Sequence, residues 1–68
     1  MTAIEILIAA CVTLRAEAVA VGRTLETRRV EGAKMRELAS LETTHRAAWS
    51  RFYTVDCRLH SLTIEHLT

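Results

Sequence analysis

Cys57 and His60 stand three residues apart, a spacing that would put two zinc-ligand types on one face of a helix. A tetrahedral site needs about four ligands, and the other candidates are Cys11, His45 and His66. Cys11 belongs to an apolar stripe on the opposite half of the chain, whereas Cys57 faces away from the matching stripe of its own half. That placement suits neither a shared metal site nor an intramolecular disulfide. A nucleophilic Cys57–His60 pair would still need a third orienting group and oxyanion donors, and the sequence offers neither. It also contains no glycine-rich phosphate loop, paired catalytic carboxylates, CxxC zinc pair or Ser/His/Asp arrangement. No catalytic, cofactor or metal site is expected, and the chain reads as a non-enzyme.

The elements that carry these residues follow from composition and spacing. The chain has 68 residues, half of them hydrophobic and a quarter charged, with two glycines and no proline. It is too apolar for a disordered segment and too poor in turn residues for a sandwich or barrel. A deep catalytic pocket is not expected either, because so short a chain hides only about 60% of its unfolded surface. Net charge is +1, and Lys34 is the only lysine beside eight arginines. No whole-chain field therefore points to nucleic acid or an anionic membrane. Two cysteines are too few for a disulfide-built secreted scaffold. The longest uncharged apolar stretch, residues 6–14, has nine residues, where a membrane span takes roughly 20. The first charge, Glu5, is acidic where a signal peptide would be basic. The expectation is a mature, soluble, cytoplasmic protein forming a single domain over residues 1–68.

Hydrophobic spacing gives the fold. Ile4, Leu7, Cys11, Leu14, Ala18, Val21 and Leu25 recur at alternating intervals of 3 and 4. Leu38, Leu41, His45, Ala48, Phe52, Val55, Leu59, Leu62 and His66 repeat the pattern. Each run is an a/d stripe in heptads lettered a–g, the mark of a helix packed along another. The two registers do not join, and Gly32 lies in the break behind Arg28 and Arg29. Glycine suits the left-handed position that ends a helix, and arginines suit the last turn before it. The spacing predicts helices over about 3–30 and 34–66 with a turn at about 31–33.

The class is therefore all-α, an antiparallel hairpin of coiled-coil type. Layered pairs such as Ile4–Leu62, Leu14–Phe52, Ala18–Ala48 and Leu25–Leu41 have numbers that sum to 66, whose midpoint falls beside Gly32. A continuous rod of roughly 100 Å is the competing arrangement. Two helices bury only one stripe each, and domains this small usually need a partner or a staple. The hairpin is expected to complete a four-helix bundle, by dimerisation or by docking on another protein.

Residues beside the stripes suggest how. Ile8, Val12 and Val19 form a second apolar line on the b/e side of the first helix, and Trp49 and Tyr53 occupy e and b on the second. These five are the candidate partner-binding residues, since rings of this kind supply much contact area for little entropy. Arg23, Arg28, Arg29, Lys34 and Arg36 gather near the turn and are the candidate contacts for an anionic partner. Glu26, Glu31 and Glu37 are interleaved with them, so a solvated helix end is the plainer account. His45 is the odd core residue, read either as a satisfied histidine or as a register-setting, pH-sensitive one.

The functional expectation is a protein–protein interaction module (small adaptor, chaperone or inhibitor) working by helix-on-helix docking with another protein, itself, or both. In length and layout, with no shared motif, it is similar to the small two-helix chaperones of type III secretion needle subunits and to compact phage-encoded inhibitors. A dimeric RNA-binding hairpin using the arginine-rich turn is one alternative, although nucleic acid is not the favoured partner. A structural coiled-coil assembly protein is the other.

Overall fold

A computed structural model describes residues 1–67, with the side chain of His66 outside the description. Two helices, α1 (Ala3–Val30) and α2 (Met35–Leu67), pack antiparallel over their length. The body measures 51 × 16 × 13 Å, half the length of the rod alternative. The chain therefore reverses, and the continuous coiled coil is not its fold. The zinc and register readings of His66 lie outside the described residues.

Local chemistry sets the helix ends. Thr2 caps α1: its hydroxyl accepts from the Glu5 amide at 3.1 Å and donates to the Glu5 carboxylate at 3.2 Å. The cap satisfies one amide donor, that of Glu5, which the first turn would otherwise leave unpaired, and the Glu5 carboxylate holds the Thr2 hydroxyl in place. At the far end Gly32 has φ of +79°, and the Ala33 amide reaches back to the Arg28 carbonyl at 2.9 Å. The Gly32 amide donates to the Arg29 carbonyl at 3.1 Å. Together these are the two bonds of a Schellman motif, which needs a left-handed residue where glycine sits.

The a/d residues that the structure describes are all buried or half-buried, and most other positions are exposed. Among the described residues, burial is confined to Ala18, Leu25 and Ala48. Two helices can cover each other only along one line, so other stripe residues such as Leu14, Phe52 and Cys11 remain half-open. Cys11, expected to be buried, is therefore only partly enclosed, and Cys57 is exposed. The alanines at 18 and 48 share a layer in the register that sums to 66.

Candidate protein-interaction face

Two pairs of ions straddle the turn. Arg28 occupies a d position, and its guanidinium grips Glu37 with two bonds, Nε to Oε1 at 2.8 Å and Nη2 to Oε2 at 2.9 Å. Its remaining arm donates to Glu31 at 3.0 Å. The hydrogen bond from Arg28, with its positive charge, holds the Glu37 carboxyl below its ordinary range, and Glu37 in turn raises the guanidinium. Arg29 donates to Glu26 at 3.2 Å and across the turn to Glu42 at 3.1 Å. Glu42 was not among the residues singled out from sequence, although its placement one turn beyond Leu38 on the e side carried the signal. Arg23, Lys34 and Arg36 make no ion pair among the described residues. The five cations near the turn thus divide into two clamps and three solvated charges.

The Arg29–Glu42 bridge also fixes sidedness, because both residues are at e. In an antiparallel pair the e flanks of the two helices share one broad face, and the g flanks share the other. Ile8, Val12 and Val19 therefore lie on the same face as Trp49 and Tyr53. Val12 and Tyr53 are well exposed, at 66% and 57%, and Ile8 is 48% exposed. Val19 and Trp49 are half-buried.

The aromatic end of this face is ordered by a small network. The Trp49 indole N–H donates to His45 Nε2 at 2.8 Å, one helical turn back. Tyr53 stacks on Trp49 at 5.8 Å between ring centroids, and Phe52 meets Trp49 edge-on at 5.6 Å. Gly22 lies against the same nitrogen, and an added Cβ there would come within 3.0 Å of His45 Nε2. The register placed His45 opposite Val21; in the structure its ring reaches the neighbouring glycine, whose missing side chain makes room for it. A shallow groove of about 830 Å³ runs past Leu25, His45, Trp49 and Tyr53.

The opposite face is different in kind. Thr24, Thr44 and Thr54 turn their hydroxyls onto carbonyls of their own helix at 3.1, 3.1 and 2.9 Å. Among the described residues Ile6 is the one large exposed aliphatic on that flank, with alanine, serine, arginine and glutamate around it.

The contacts of His60 are with Asp56. Its Nδ1 lies 2.9 Å from the Asp56 carbonyl and 3.5 Å from the Asp56 carboxylate. Among the described residues no three His, Cys, Asp or Glu side chains converge in metal-binding geometry. Among them, too, no helix is long and apolar enough to cross a membrane. The chain matches no family model, no curated protein and no solved structure.

Proposed function

We propose that this chain is a non-catalytic protein–protein interaction module that docks helix on helix through the broad face bearing Ile8, Val12, Val19, Trp49 and Tyr53. The observation that carries this reading is sidedness. Apolar residues left over from the hairpin's own stripe concentrate on one face, while the other carries alanine, serine, threonine and charged residues with Ile6 among them. Large aromatic and aliphatic groups clustered in this way mark contact surfaces. Adaptor, chaperone and inhibitor are the roles that fit a small docking module. Two unpaired thiols suit the reducing cytoplasm.

The RNA-binding alternative draws no support from the turn, where Arg28 and Arg29 are already engaged by four glutamates. Phosphate would have to displace bonds that satisfy the guanidinium forks.

The test compares the unmodified chain with Val12→Glu and Trp49→Ala, by light scattering on purified protein and on native extract. Both variants are expected to keep their helicity and lose association. Association undiminished in both would overturn the reading.

A further inference from the structure

We infer that the occupant of this face is a second copy of the same chain, related by a twofold axis that crosses the middle of the hairpin and lies in the plane between the two copies. This rests on the docking role just proposed and names its partner.

Three observations support it. The first is area. The chain exposes 5297 Å², whereas a compact folded monomer of 7.6 kDa exposes about 4300 Å². The surplus, about 1000 Å², is close to the roughly 800 Å² that each partner contributes to a standard interface. One broad face of a body 51 × 16 Å supplies about that much.

The second is the order of residues along the seam of α2. Reading its e and b positions gives Glu42, Arg46, Trp49, Tyr53, Asp56 and His60. Laid antiparallel on itself about residue 51, this seam sets Trp49 of one copy against Tyr53 of the other. It also sets Arg46 against Asp56 and Glu42 against His60. Heptads guarantee that e meets b in such a pairing; they do not guarantee that rings meet rings and that acids meet bases. Opposed like charges would have disfavoured the arrangement, and none are opposed on this seam.

The third is height. The hairpin register places residue 51 of α2 level with residue 15 of α1. On α1 the apolar line Ile8, Val12, Val19 is centred between residues 13 and 14, with Ile8 of one copy facing Val19 of the other. At 1.5 Å per residue the two centres differ by about 2 Å, so a single axis serves both helices. The near-neutral net charge of +1 leaves little overall repulsion between copies. Arg15 of α1 lies near the axis, where the two copies bring the same charge toward each other; it is exposed, and its long stem lets each guanidinium turn out to solvent. The intrachain bonds of Glu42 to Arg29 and of Asp56 to His60 are solvent-accessible. They can be shared with the second copy or exchanged for its contacts.

The experiment is a charge exchange read by sedimentation velocity and light scattering. The unmodified chain should run at twice the chain mass. Arg46→Asp and Asp56→Arg each place two like-charged pairs in the dimer, and each should weaken self-association about tenfold or more. An equimolar mixture of the two variants should restore the dimer, because only the mixed pair matches acid with base. The chain carrying both changes should pair with itself and refuse the unmodified chain; it serves as the readout should a single variant lose helicity. An unmodified chain that stays single at every concentration overturns the assignment, as does a mixture no more associated than its components. The broader docking role fails differently, through Val12→Glu and Trp49→Ala chains that both retain every association of the unmodified one.

Discussion

Replacing Gly22 with alanine tests whether His45 is pinned between the two helices. Alanine in a helix interior is normally better than glycine by about 1 kcal/mol. Here its Cβ would sit 3.0 Å from His45 Nε2, well inside the 3.5–4.0 Å of an ordinary contact. The imidazole would have to retreat by several tenths of an ångström, and the same nitrogen accepts the Trp49 indole bond at 2.8 Å. Loss of that bond costs about 1 kcal/mol, so Gly22→Ala should leave stability nearly unchanged in the natural chain. In a His45→Ala background the obstacle is gone, and the same change should stabilise by the full amount of about 1 kcal/mol. The expected coupling between the two sites is therefore about 1 kcal/mol. It is measured by urea unfolding of the four chains at one fixed protein concentration, because association makes apparent stability depend on concentration. Equal stabilisation by Gly22→Ala in both backgrounds would refute the packing argument.

Three further outcomes follow from the geometry. Gly32→Ala meets no steric neighbour but forces a side chain into φ of +79°, and it should lower stability by about 1–2 kcal/mol, read as a depressed Tm. Glu37 is held below its ordinary range by Arg28, so its contribution is present above the unfolded carboxylate pKa of about 4.3 and is lost as pH falls through the lower folded value. Acid titration by circular dichroism should therefore show the natural chain losing more stability below about pH 4 than Glu37→Gln does, and parallel curves would remove the clamp from consideration. Ala48→Leu adds bulk at a position 1% exposed and should destabilise by about 1–3 kcal/mol; a neutral result would mean the helices do not approach closely in that layer.

The hairpin was legible because two independent signals coincide. The 3–4 spacing fixed the helical period, and the lost register beside Gly32 marked the reversal; the Schellman bonds at Ala33 and Gly32 are the physical form of that break. The aromatic network was less legible. His45 and Trp49 are one helical turn apart, which permits a bond, but its direction depends on side-chain rotation. The reach of His45 to Gly22 depends on the offset between helices, and heptad letters fix that only to the nearest layer. Cys11 and Phe52 were expected to be enclosed, yet they remain half-open. A two-helix body has no third element to close over them, and periodicity identifies which side is apolar without saying whether anything covers it. The clamps of Arg28 and Arg29 lay between these extremes: interleaved arginines and glutamates announced ion pairs, whereas partners across the turn required the turn itself.

Trp49 is the only tryptophan, so its fluorescence reports on the proposed contact face without any label. The decisive measurement follows its emission wavelength and its quenching by acrylamide while light scattering records mass over a rising concentration series. The expected result is a shift to shorter wavelength and a loss of quenching that track the rise in mass, both absent in Val12→Glu. A rise in mass with Trp49 as quenchable as in the isolated hairpin would place the interface elsewhere and contradict the docking role assigned to this face.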